Sequence, residues 1–319
     1  MCVKHGIDTL EKWPINSENA ALARSRYRRH SGAVTNELND IDPVAVCRQA
    51  RRRRSCPAEH AYVQRRAADA VADRLALLAG APASAIDVSA DGGLASTAVR
   101  ERYPKIAQFA AGPGAAPERR RWWQRRQPTL LGGNLESLDA ADAAMGLAIC
   151  NLTLPWLNAP DGLFSELARV LSADAPLIVI TPGPDTFKEL RDAWADVVPG
   201  EPPIATFLDM HDLGDALVRA GFVEPVVDVD RLTVRFASAD TLWQDLTMSG
   251  AGNVLRARRR GLLTPRRLQA LQDRLAGGGD GFGITIELTC AHAFAPRDSR
   301  RSAASEVRVA AQSIGRRRS

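Results

Sequence analysis

The sequence predicts a doubly wound α/β domain with an antiparallel edge, and three observations carry that reading. An apolar run ends at Asn151, a second stops at Thr181-Pro182-Gly183-Pro184, and a helical pattern over 161–172 joins them. Strand and helix patterns alternate from 85 to 181, as in a parallel sheet. Residues 223–229, 232–236 and 284–294 read as hairpin-like antiparallel strands.

Each element has a local reason. Residues 1–40 are polar without periodicity and are expected to form a mobile extension. Over 42–79 the apolar residues Ala61, Ala68, Val71, Leu75 and Leu78 recur at helical spacing, after a basic run Arg51–Arg54. Ala85–Val88 reads as a first strand, Ser89–Gly93 as a turn, and the next helix closes before Pro104. Weak strands follow at 105–111 and 129–131, with a loop over 134–142. Gly146–Asn151 and Leu177–Thr181 are the strong strands. A helix over 185–197 is expected to start on Asp185 as N-cap. The next runs from Asp209 to Ala220 and ends at Gly221. Further helices are predicted at 239–248 and 265–275, with a basic loop 256–261 between them and a Gly277-Gly278-Gly279 turn after the second. The Ser/Arg-rich stretch from 297 reads as a disordered basic tail.

Composition narrows the class. With 319 residues and 45% hydrophobic content, the chain can bury a real core. Five scattered cysteines without a CxxC pair support neither a zinc site nor a disulfide framework, and fit a reducing, cytoplasmic setting. No run of about 18 apolar residues exists, so membrane insertion is not expected. Secretory-signal features are missing from the N-terminal residues, which contain Asp8, Glu11 and Glu18. The net charge of +5 and the arginine bias admit two readings, GC-rich coding or an acidic partner.

Ligands of doubly wound sheets lie at the carboxyl ends of the strands, here around Asn151 and Thr181. The residues there carry a resemblance. Asn151-Leu152 with Trp156, Gly183-Pro184-Asp185-Thr186, Glu189-Leu190-Arg191, Asp230-Arg231-Leu232-Thr233, Gly250-Ala251-Gly252-Asn253 and Arg260-Gly261-Leu262 resemble one group of class I S-adenosylmethionine-dependent methyltransferases. It is the malonyl-acyl-carrier-protein O-methyltransferases of biotin synthesis. The likeness spans 42–296, most specifically 150–262. It implies a Rossmann-like, mostly parallel seven-stranded sheet with helical N-terminal and substrate-side additions. It implies S-adenosylmethionine as cofactor, held by Asp87, Ser89, Gly92, Gly93, Asn134, Leu135 and Asn151. It implies an acyl carrier protein, or another acidic protein, as partner, met by Trp156, Arg231, Arg258 and Arg259. Basic runs at 51–54, 119–126 and 256–260 would steer such a partner. No metal ligands and no catalytic base are assigned. The substrate carboxylate is its own nucleophile, so positioning is the main requirement. His60, His211 and His292 are read as structural.

The cofactor half departs from the family pattern. Where the family reads Asp-x-Gly-x-Gly-x-Gly, this chain has Asp87, Ser89, Asp91 and Gly93. Asp91 brings negative charge toward the cofactor's carboxylate. Two like charges about 4 Å apart repel by roughly 4 kcal/mol at an effective dielectric near 20, about a thousandfold in affinity. The second strand ends in Phe109-Ala110-Ala111-Gly112, without the acid that grips a ribose, and Asn134 replaces an Asp. Two readings stay open: an active O-methyltransferase, or a non-catalytic relative with weakened or lost cofactor binding that acts through a partner. Nucleic acid is not expected. Arg121-Trp122-Trp123-Gln124-Arg125-Arg126 could stack bases, but no helix-turn-helix or RNA-binding motif accompanies it.

Overall fold

The computed structural model describes residues 40–112, 128–131, 133–158, 160–277 and 281–297. The expected N-terminal extension, the 119–126 run with Trp122-Trp123, and the tail beyond 297 lie outside the described residues, Asp40 apart.

Two helices come first, α1 (Pro43–Arg54) and α2 (Tyr62–Leu77). The single periodic helix expected over 42–79 is broken. Pro57 lacks an N–H and restricts its neighbour, so a 3-10 turn at Ala58–His60 separates the two. Strand β1 (Ser84–Asp87) leads into α3 (Leu94–Arg102), then β2 (Ala107–Ala110) and β3 (Thr129–Leu130). The expected loop over 134–142 contains a small hairpin, β4 (Gly133–Asn134) with β5 (Ser137–Leu138). Then come β6 (Ala148–Asn151), α4 (Pro160–Val170) and β7 (Pro176–Pro182). Helices α5 (Lys188–Val197) and α6 (Met210–Arg219) precede β8 (Val223–Phe236). Last are α7 (Ala239–Met248), α8 (Pro265–Ala276) and β9 (Phe282–Phe294).

Seven strands form one sheet in the order β3-β2-β1-β6-β7-β9-β8. The first five are parallel, and β9 and β8 run antiparallel. Strands β2 and β3 add outward on one side of β1, and the chain returns to place β6 on the other. The order therefore reverses between β1 and β6, and the crevice opens at Asp87 and Asn151.

Both faces of the central strands are covered, which is why these strands are continuously apolar. Ile86, Ala148, Cys150, Leu177 and Val179 face α4 and α6, where Phe164, Leu167, Leu213 and Leu217 pack. The alternate residues Ala85, Leu147, Ile149, Ile178 and Ile180 face the side chains of Val71, Val99, Leu190 and Leu242. Leu163, Phe164 and Leu167 are fully buried, each contributing about 1.5–3 kcal/mol.

Two further expectations are corrected. Helix α5 does not start on Asp185. Phe187 occupies the cap position at φ 59°, and Asp185 instead pairs with Lys188 and Arg231. The two strands expected in 223–236 are one long strand with a bulge near its start. The gap expected at Asp230-Arg231 belongs to the edge strand, where Asp230 pairs with Arg66 and Asp228 with Arg74, both from α2.

Candidate functional site

The loop after β1 is built by side chains that take up its own amides. Asp87 accepts from the Ser89 N–H at 2.8 Å and from the Ser96 hydroxyl. Ser89 accepts from the Asn151 N–H at 3.0 Å, and Thr153 donates to the Val88 carbonyl at 2.6 Å. Gly92 and Gly93 follow at φ 81° and 96°, conformations an L side chain disfavours. A Cβ on Gly92 would lie 2.9 Å from the Arg53 carbonyl oxygen, so the loop needs glycine to touch α1.

Asp91 is 2% exposed and occupies the amino end of α3. One carboxylate oxygen accepts from Gly93 N–H at 2.8 Å. The other accepts from Ala95 N–H at 2.7 Å and the Asn151 side-chain amide at 2.8 Å. Burial, and then the neighbouring Asp87, push the Asp91 carboxyl up to about 6. Asn151 is fully buried, and its side-chain oxygen has no partner among the described residues.

Arg53 closes the crevice from the α1 side. Its Nη1 donates to the Ala90 carbonyl at 2.9 Å and to the Leu152 carbonyl at 3.1 Å. Its Nε donates to the Gly250 carbonyl at 3.3 Å. The guanidinium lies 4.2 Å from the centroid of the Trp156 ring. Enclosure lowers the Arg53 pKa to about 10 while Asp91 pulls it upward, so the cation persists at neutral pH.

A mainly apolar pocket adjoins this point, lined among others by Arg53, Tyr62, Trp156, Phe187, Phe207 and Leu246. Asp245 reaches it as well. It accepts from the Tyr62 hydroxyl at 2.7 Å and lies 2.8 Å from His60 Nδ1. Burial and Asp245 push the Tyr62 phenol well above its ordinary value. His60 thus has a local partner, whereas His211 is exposed at the start of α6 and His292 packs edge-on against Phe294.

Of the residues singled out in sequence, Asp87, Ser89, Gly92, Gly93 and Asn151 converge on the β1–β6 crevice. Asn134 and Leu135 lie beyond the end of β2. Asn134 is exposed and accepts from its own turn at Glu136 N–H, while Leu135 is buried over Gly112. Trp156 reaches the pocket. The arginines are engaged elsewhere. Arg231 on β8 pairs with Glu287 on β9 and with Asp185 in the turn before α5, and Arg259 pairs with Glu201. Arg258 donates to Asp42 at 2.7 Å in a buried pair that holds the Asp42 carboxyl below the usual carboxylate range. Sequence reasoning missed Tyr62, gave Asp245 no role in the site, and placed Arg53 in a basic run facing a partner, whereas its guanidinium turns into the crevice. For Arg53 a signal existed. The buried stripe of α1, Ala45, Val46, Gln49 and Ala50, continues at helical spacing to position 53.

S-adenosylmethionine ends in an amino acid bearing an ammonium and a carboxylate. The crevice leaves no open amides for that carboxylate. Asp91 already takes the α3 amides where a carboxylate would bind, and β2 offers no acid to a ribose. Among the described residues there is no group of three or more His, Cys, Asp or Glu disposed to hold a metal, and no helix long and apolar enough to cross a membrane.

Residues 86–179 match the family described as a methyltransferase domain. The malonyl-acyl-carrier-protein O-methyltransferase of Laribacter hongkongensis is 37% identical over 250 residues, 74% of this chain and 84% of that one. The protein of the same description from Halorhodospira halophila is 34% identical over 270 residues, 82% of this chain and 91% of that one. That of Gallionella capsiferriformans is 33% identical, over 76% and 88%.

Proposed function

The chain belongs to the malonyl-acyl-carrier-protein O-methyltransferase family of class I methyltransferases, and from that footing we propose that it receives a malonyl-type thioester on an acyl carrier protein for O-methylation. The supporting observation is the pocket beside the crevice, which joins an apolar lining to one guanidinium, that of Arg53. Apolar walls suit an acyl thioester, and a low-dielectric cation suits its free carboxylate. No proton transfer is needed at that carboxylate, so holding it in place is the chain's contribution.

The carrier is acidic and would be met by the basic surface after α7. Arg266 and Arg267 are exposed there, shortly after Leu262, which is 93% exposed. The described cysteines Cys47, Cys56, Cys150 and Cys290 are free, in keeping with a reducing, cytoplasmic setting.

The test is mass spectrometry of malonylated carrier after incubation with the chain and S-adenosylmethionine, beside a pull-down of the same carrier. Methyl ester formation supports the reading. Carrier that is neither bound nor esterified removes it. A second reading, partner binding without methyl transfer, is favoured by the Asp91 and Arg53 closure of the cofactor end. Carrier bound but never esterified would select it.

A further inference from the structure

The misfit in the crevice has a definite chemical form. An anion site exists at the amino end of α3, and the chain fills it from within. Both oxygens of Asp91 are engaged, by Gly93 N–H on one side and by Ala95 N–H and the Asn151 amide on the other. The Arg53 cation is bound through Nε and Nη1 to three backbone carbonyls, and its charge acts on Asp91. A carboxylate entering here would find the amides taken and a like charge in place. The atom left without a partner is an acceptor, Asn151 Oδ1. It calls for a donor, which the ammonium of an adenosyl amino acid has and its carboxylate lacks.

The loop has little room to withdraw. Gly92 touches the Arg53 backbone, and a Cβ there would lie 2.9 Å from its oxygen. Gly250 touches α1 from the other side, where a Cβ would lie 2.6 Å from the Gln49 carbonyl oxygen. Ser89 and Thr153 tie the loop to β6.

We propose that the Asp91 carboxylate is a built-in replacement for the carboxylate at the amino-acid end of an adenosyl ligand, so that this chain discriminates against ligands that carry one. The inference rests on the family reading only in taking the crevice as the place of an adenosyl ligand.

Two probes differ in that end alone. S-adenosylhomocysteine carries the amino acid, and 5′-methylthioadenosine lacks it. Isothermal titration of the full chain is expected to give affinities for the two within about threefold of each other. In Asp91→Gly the homocysteine ligand tightens by about tenfold or more, about 1.4 kcal/mol, and methylthioadenosine changes by less than about twofold. Asp91→Asn keeps an acceptor for the α3 amides and guards against a folding failure. It is expected to tighten the homocysteine ligand as well. A wild-type chain too weak to measure with either ligand, beside a variant that binds the homocysteine, is the same result.

Wild-type protein that binds the homocysteine about a hundredfold tighter than methylthioadenosine overturns the proposal. So do two folded variants that fail to gain. The function fails separately: an Asp91→Gly chain that binds S-adenosylhomocysteine yet neither binds nor esterifies the carrier leaves this inference standing and removes the other.

Discussion

The guanidinium of Arg53 lies 4.2 Å from the centroid of the Trp156 ring. This contact joins α1 to the turn after β6. With it, one cation serves three roles: it bridges three backbone carbonyls, it offsets the Asp91 charge, and it lines the pocket.

Removing that cation uncovers its partners. Arg53→Met keeps much of the stem and loses the donors, leaving the Ala90, Leu152 and Gly250 carbonyls short of a partner. The expected loss is about 2–4 kcal/mol, read as a lower urea midpoint. Asp91→Asn in the same chain is expected to recover about 1 kcal/mol or more, because the uncompensated charge is gone. Strictly additive single and double variants would show that the two groups do not interact.

Asp91 makes stability depend on pH in an uncommon direction. Its folded pKa of about 6 lies above the ordinary aspartate value of 3.8, so the folded state keeps a proton that the unfolded chain has released. Its contribution is therefore largest below about 3.8 and declines as pH rises to about 6, by about 3 kcal/mol in all. Urea titrations of wild type and Asp91→Asn should differ by an amount that changes across this window and is flat above it. A constant difference from pH 4 to 7 would show the carboxyl to be unperturbed.

The same titration bears on ligand binding. Below about pH 6 Asp91 is mostly neutral, while the Arg53 cation persists beside it. S-adenosylhomocysteine is expected to bind the wild-type chain more tightly at pH 5.5 than at 7.5, by several-fold, with methylthioadenosine as the control. Equal slopes for the two ligands would place the titration elsewhere.

Arg258 and Arg267 are expected to separate stability from docking. Arg258→Ala leaves Asp42 with the more distant Arg260, at 3.8 Å, and the Val44 N–H, which costs about 1–3 kcal/mol and lowers the melting temperature. Arg267→Ala, exposed on α8, leaves melting unchanged and weakens the carrier in pull-downs, more so at low salt. Melting that responds to Arg267→Ala and not to Arg258→Ala would reverse the assignment.

Legibility followed the physics of each element. Strands β6 and β7 were readable because both faces are buried, so their apolar runs end abruptly at Asn151 and Pro182. Strand β8 reads as two because an edge strand tolerates polar residues, and Asp230-Arg231 looks like a break although α2 supplies Asp230 with Arg66. Asp91 was visible as a departure from the family pattern. Its partners were not, since they come from positions 93, 95 and 151. Arg53 was hidden within a run of four arginines, where charge alone does not say which side chain turns inward.

The glycines at 92 and 250 set the backbone of α1 directly against the loops that border the crevice. Entry from that side therefore has a kinetic signature. Association of a ligand that enters past α1 is expected to wait for that helix to lift, so its observed rate should level off at high ligand concentration instead of rising in proportion. Gly250→Ala, which forces a Cβ to within 2.6 Å of the Gln49 oxygen, would hold the helix partly open and raise that plateau, even as it makes the fold less stable.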